Sequence, residues 1–193
     1  MKSSDCILFS GGAPGAESWF GECAERHGIE EVHFTFDGRQ IDRHRGVRVL
    51  NHEELLAGDV SLAYVSRLMD RRYSDAPTLR KILQTLWYQV NCGQEIYVIG
   101  TILENQTVRG GTGWGAEFAK LCNKPLCVFD QDRDSWFRWD GSAWAPATAA
   151  GVPTIAHPHF TGTGTRNLRE NGRQAIADLF ERSAFDQRSV AFV

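Results

Sequence analysis

Two glycine-rich turns, each placed between a strand signal and a helix signal, constrain the fold of this chain more than any other feature. The first is Ser10-Gly11-Gly12-Ala13-Pro14-Gly15-Ala16, which follows the apolar run Cys6-Ile7-Leu8-Phe9. The second is Arg109-Gly110-Gly111-Thr112-Gly113-Trp114-Gly115, about ten residues after Ile96-Tyr97-Val98-Ile99-Gly100. An amphipathic helix pattern follows each. Backbone N–H groups at such turns, together with the positive end of a helix dipole, make an anion site. Two of them in one domain point to a ligand held by its phosphates between two loops.

Around these turns the strand and helix signals alternate. Residues 5–9 read as a buried strand, about 16–27 as a helix stopped by Gly28, and 31–36 as an alternating strand closed by Asp37-Gly38. Residues 38–48 are polar and carry Arg39, Arg43, Arg45 and Arg48. Residues 51–56 fit a short helix, while 60–65 fit a strand or a helix edge equally well. Leu79, Ile82, Leu83, Leu86, Trp87 and Val90 keep a helical stripe to about Asn91, and Gly93 ends it. Residues 95–100 and 126–130 are near-continuously apolar, as in central parallel strands. Between them a helix is expected over about 115–122, and another over about 167–182. Trp136 to Trp144 reads as a hairpin with an Asp140-Gly141 turn, its three tryptophans packing rather than offering a base-stacking platform. The expected fold class is α/β: a Rossmann-like, mostly parallel sheet with helices on both faces. One domain over residues 1–193 is expected, with a hairpin insertion at about 135–146.

Composition narrows the function classes. A net charge of −3 speaks against a broad nucleic-acid surface, yet leaves a small anionic ligand possible at a local loop site. No signal peptide is evident, and no segment approaches the roughly 20 apolar residues of a membrane span. The five cysteines form no Cys-x-x-Cys pair and read as buried reduced thiols, which implies a cytoplasmic protein. The six histidines, His157-Pro158-His159 included, form no set with metal-ligand spacing, so neither metal nor cofactor is assigned. There is no Gly-x-Ser-x-Gly elbow and no Walker-type lysine.

Three segments carry a resemblance to the superfamily that joins Smf/DprA proteins with the Lonely Guy ("lysine decarboxylase-like") enzymes, often called SLOG. Residues 10–18 resemble a Ser-Gly-Gly-Ala-x-Gly-Ala-Asp-Ser turn. Gly110 to Glu117 resembles the Pro-Gly-Gly-x-Gly-Thr-x-x-Glu motif of Lonely Guy enzymes. Phe160-Thr161-Gly162-Thr163-Gly164-Thr165-Arg166 resembles the strand end that opens many of these domains. Here that last segment closes the chain instead of preceding the first turn. A circular permutation is the implied explanation, with the strand around Phe160 lying beside Leu8. The chain departs from the motifs at Arg109, Trp114 and Glu17, where the relatives have proline, threonine and aspartate.

The glycine turns and the resemblance together nominate a site. Ser10, Gly11, Gly12, Gly15, Gly110, Gly111, Thr112 and Gly113 are the candidate phosphate cradle, Thr112 serving alternatively as a helix cap. Arg166 is a further phosphate candidate, and Arg109 lies close to the second turn. The resemblance makes Glu117 the catalytic carboxylate. It also implies an arginine on the preceding helix, nearest in Thr78-Leu79-Arg80-Lys81, so Arg80 is nominated, with Arg72 as the alternative. Trp19 and Trp114 read as either core or base-stacking residues. The expected function is binding of a nucleotide or nucleotide derivative, with possible hydrolysis of the N-glycosidic bond of a nucleoside monophosphate. The alternative is a non-catalytic nucleotide or ADP-ribose sensor or interaction protein. A small-molecule nucleotide is the expected partner; a homodimer through the stripe from Leu79 to Val90 is the other, core packing accounting for that stripe equally well.

Overall fold

The structure, a computed structural model, describes residues 1–147 and 151–186. The expected single domain over 1–193 therefore extends past what is described. The strands are β1 (Ile7–Ser10), β2 (Glu30–Phe36), β3 (Val47–Leu50), β4 (Glu95–Gly100), β5 (Leu126–Asp130), β6 (Ser135–Trp139), β7 (Trp144–Pro146) and β8 (His159–Gly164). The helices are α1 (Ala16–Arg26), α2 (His52–Leu56), α3 (Asp59–Leu68), α4 (Pro77–Cys92), α5 (Thr112–Leu121) and α6 (Glu170–Arg182). They build an α/β fold of the Rossmann-like kind on one eight-stranded sheet in the order β3-β2-β1-β8-β4-β5-β6-β7. All pairings are parallel except β5–β6 and β6–β7, where the tryptophan hairpin extends the edge.

Side-chain alternation along the central strands separates two apolar layers. Tyr97, Ile99, Cys127 and Phe129 face α1 and α6; Ile96, Val98, Leu126 and Val128 face α3, α4 and α5. A third cluster lies under α2, where Phe9, Phe34 and Phe36 meet Leu50 and Leu55. Leu83, Leu86 and Val90 of the α4 stripe, offered above as a dimer face, are buried against the chain's own sheet.

β8 sits between β1 and β4, parallel to both, with Leu8 opposite Phe160 and Ile96 opposite Thr161. This is the adjacency that the permuted arrangement requires. Gly162 makes it possible: a Cβ there would come within 2.4 Å of the Phe20 ring on α1. Segment 60–65, undecided from its pattern, is helical as part of α3, and α5 begins at Thr112, ahead of the expected start. β3 was not expected. Its Val47, Arg48 and Val49 are exposed on the sheet edge, so no apolar alternation announces it.

α1 leaves β1 on one face of the sheet, and α5 leaves β4 on the other. The strand order reverses between them. A crevice at the carboxyl ends of the strands forms where such a reversal occurs.

Candidate functional site: an arginine-lined cleft at the strand ends

The crevice is a cleft of about 510 Å³. Four segments that follow strand ends contribute to it: Ala13 after β1, Gly100 and Thr101 at the end of β4, Gln131 after β5, and residues 164–167 with Arg169 after β8. Arg39, from the loop after β2, closes its floor, and Leu79, Ile82 and Leu86 of α4 form an apolar wall.

The second glycine turn opens into this cleft. Arg109, Gly110, Gly111 and Thr112 all line it. Nothing lies within 4 Å of where a Cβ on Gly110 or Gly111 would stand, so the turn faces open space. The Gly111 and Thr112 amides have no acceptor among the described residues. They form the amino end of α5, where unpaired N–H groups and the helix dipole favour an anion. Arg71 holds the turn from behind. Its guanidinium donates to the carbonyls of Gly110 and Val108, both at 3.1 Å, and to Thr107 Oγ1 at 2.9 Å. Gly113 faces inward: a Cβ there would sit 2.0 Å from the Val108 carbonyl oxygen.

The first glycine turn behaves otherwise. Of its residues only Ala13 reaches the cleft. The Ala13 N–H donates to Glu17 Oε2 at 3.1 Å, and the Ala16 N–H to the Thr165 carbonyl at 3.0 Å. The chain thus supplies its own anion at the amino end of α1. Ser10 Oγ donates to the Gly162 carbonyl at 2.7 Å. Gly11 leaves room for Glu17 and Gln89, and Gly12 lies against His33 and Arg43. Gly15, at φ 94°, lets α1 start against the Thr165–Arg166 backbone, where a Cβ would fall 2.5 Å from the Arg166 carbonyl oxygen. Ser10, Gly11, Gly12 and Gly15, the expected cradle, thus lie outside the cleft lining and pack against β8, α4, β2 and the loop that carries Arg43.

Four cations line the cleft: Arg39, Arg109, Arg166 and Arg169. Arg166 is exposed and makes no hydrogen bond or ion pair among the described residues. Arg109 and Arg169 share Asp132, at 3.8 and 2.7 Å. Arg39 is nearly dry, its side chain 5% exposed beside that of Glu17 at 7%. Burial pushes its guanidinium below the ordinary value; Glu17 opposes the shift and Arg166 adds to it.

The two residues nominated for catalysis lie outside the cleft. Glu117, on α5, pairs with Lys120 at 3.2 Å, and Lys120 lies under the Trp139 ring at 3.9 Å from its centroid. α5 turns that face to the hairpin because Ala116 and Phe118 face the sheet core. Arg80 pairs with Asp59 at 2.6 Å and stacks on Tyr73. Arg72 is also away from the cleft, paired with Asp75. Trp114 is buried against Tyr73, and Trp19 packs between Arg26 and Arg173. The carboxylate that does line the cleft is Glu17.

The loop that carries Arg39 is latched to a second buried carboxylate, Glu31. It accepts from Arg43 Nε and Nη2, both at 2.7 Å, from Arg45 Nη1 at 2.8 Å, and from His33 Nε2 at 2.8 Å. Burial alone would raise the Glu31 carboxyl, but the Arg43 and His33 hydrogen bonds override it and hold it at about 2. The Asp42 and Arg43 amides also donate to the Gly12 carbonyl, at 2.9 and 3.2 Å. The arginine-rich stretch over 39–48 was the sequence signal for this latch.

No family model matches the chain. No curated protein matches it either. A solved structure from Syntrophus aciditrophicus titled "Putative molybdenum carrier protein" shares the fold, with a TM-score of 0.57 at 19% identity over 94% of this chain and 96% of that one.

Proposed function

We propose that the cleft binds a small phosphate-bearing ligand of the nucleotide type, its phosphate seated on the amino end of α5. One observation carries this reading. The unpaired amides of Gly111 and Thr112 open into a cleft lined by Arg109, Arg166 and Arg169, in a chain whose net charge is −3. Local concentration of donors and cations in an acidic protein is the arrangement that a small anion needs. Arg166, free of protein partners among the described residues, is available for a bidentate phosphate contact.

Binding without turnover fits the site better than N-glycosidic hydrolysis. Glu17 accepts from the Ala13 amide and from Thr163 Oγ1 at 2.8 Å, and stands beside Arg39. That set of partners holds it as a fixed acceptor, and Glu117 is turned away. The fold likeness to a structure titled a molybdenum carrier favours a second reading, in which the anion is an oxyanion of molybdenum. Such an oxyanion would meet the same amides and arginines.

A thermal-shift panel separates these readings. It contains nucleoside monophosphates, ADP-ribose, NAD, cyclic nucleotides, ribose 5-phosphate and molybdate. A ligand at about 100 times its Kd adds roughly 2.7 kcal/mol to stability. Shifts with the nucleotides are expected, with no base release on prolonged incubation. A shift with molybdate alone would replace the first reading by the second, and no shift from any member would overturn both.

A further inference from the structure

The cleft has linings of two kinds, and only one is accounted for by a phosphate. The second is the Arg39–Glu17 pair set against the apolar wall of α4. Arg39 Nη1 donates to Thr85 Oγ1 on α4 at 3.0 Å, which places the guanidinium beside Ile82 and Leu86, both lining the cleft. The rest of this guanidinium is under-used. Nη2 makes no hydrogen bond among the described residues, and its 3.7 Å approach to Glu17 Oε2 is too long for one. Nε is buried without a partner. An arginine has five donors, and taking it out of water without acceptors is costly. Its position in the cleft wall makes a ligand the natural source of the missing acceptor.

The neighbours decide what that ligand group is. Glu17 already balances the Arg39 charge, and a second phosphate there would face a carboxylate across an apolar wall. A neutral planar ring that presents an acceptor next to an N–H donor satisfies both members of the pair. Its faces suit the side chains of Leu79, Ile82 and Leu86. We infer that Arg39 and Glu17 select the ligand's head group: a neutral heterocycle with a lactam edge, its carbonyl taken by Arg39 and its ring N–H by Glu17. The inference rests on the phosphate-binding reading above and deepens it by assigning the specificity of the same cleft.

Isothermal titration with three phosphorylated probes tests it: ribose 5-phosphate, inosine 5′-monophosphate and 5-phosphoribosyl 1-diphosphate. The parent protein is expected to bind the inosine nucleotide at least about tenfold more tightly than ribose 5-phosphate, because a site built to hydrogen-bond a group rejects analogues that lack it. Arg39→Met should remove that advantage, weakening the inosine nucleotide far more than ribose 5-phosphate. Leu79→Ser, at a position 45% exposed and so safe for folding, should narrow it too. Methylation of the base at N1, which deletes the donor without touching the protein, should bring the nucleotide down to the level of ribose 5-phosphate. Equal binding of ribose 5-phosphate and the nucleotide would overturn the head-group inference alone. Preference for the diphosphate would do the same and assign Arg39 to a second phosphate. Failure of all three probes would overturn the phosphate reading together with it.

Discussion

Glu31 shows how one buried carboxylate governs the site at a distance. Its folded-state value of about 2 lies below the ordinary 4.5, so the ionised form is favoured by folding. The stabilisation is therefore complete above pH about 4.5 and is lost as pH falls through about 2, a swing of about 3 kcal/mol. Glu31→Gln should cost about 3 kcal/mol at neutral pH, because it leaves Arg43 and Arg45 without their buried partner. In urea titrations the variant should also show a shallower acid limb than the parent, since Glu54, Asp59, Asp132 and Asp140 are held low too; an unchanged acid limb would show that the latch is not what titrates. At the same scale, Arg166→Glu should weaken nucleotide binding by at least about tenfold, equivalent to about 1.4 kcal/mol. Glu117→Gln should leave binding unchanged, since that carboxylate faces Lys120 and the hairpin. A comparable loss in both variants, measured by titration calorimetry, would mean that the ligand sits elsewhere. Motif likeness could nominate Glu117 but not its direction. Which side of α5 meets the cleft is decided by the packing of Ala116 and Phe118. Arg39 and Glu17 were visible as residues, yet only the folded loop over 37–46 brings them together.

Among the elements, the two glycine turns look alike in sequence and differ in what fills them. α1 begins with a glutamate that folds back on the turn, while α5 begins with Thr112-Gly113-Trp114, which offers no such anion. The first turn is filled by Glu17, His33, Arg43 and the β8 backbone, and the second faces open space. Strand-turn-helix order was legible for both, but occupancy depended on where the Glu17 carboxylate and β8 came to rest. Arg71 is the support of the open turn. Arg71→Met should lower nucleotide affinity about tenfold, near 1.4 kcal/mol, by loosening residues 107–112. The melting temperature should stay close to the parent's, and a large drop would mean that Arg71 stabilises the fold at large. Gly162→Ala tests the β8–α1 joint. Forcing a methyl into the Phe20 ring should cost about 1–3 kcal/mol in chemical denaturation.

The whole molecule turns on the insertion of β8 between β1 and β4. That single pairing gathers the ends of β1, β4 and β8 around one cleft, although the segments are far apart in sequence. Central strands and the hairpin were readable because continuous apolar runs and an Asp-Gly turn declare them. β3 was not, because an exposed edge strand has no buried face to pattern it. The placement of β8 came from motif likeness rather than from periodicity. The central claim, a phosphate on the amino end of α5, is tested most directly at Gly111. Its φ of −62° suits any residue, its Cβ direction is open, and it occupies the cap position of α5. Gly111→Asp therefore places a carboxylate beside the open amides where the phosphate should sit, at the positive end of the helix dipole. Titration of both proteins with inosine 5′-monophosphate should show binding to the parent and loss of at least about tenfold, near 1.4 kcal/mol, in the variant, with its melting temperature held or raised. Undiminished binding by a folded Gly111→Asp protein would contradict the assignment.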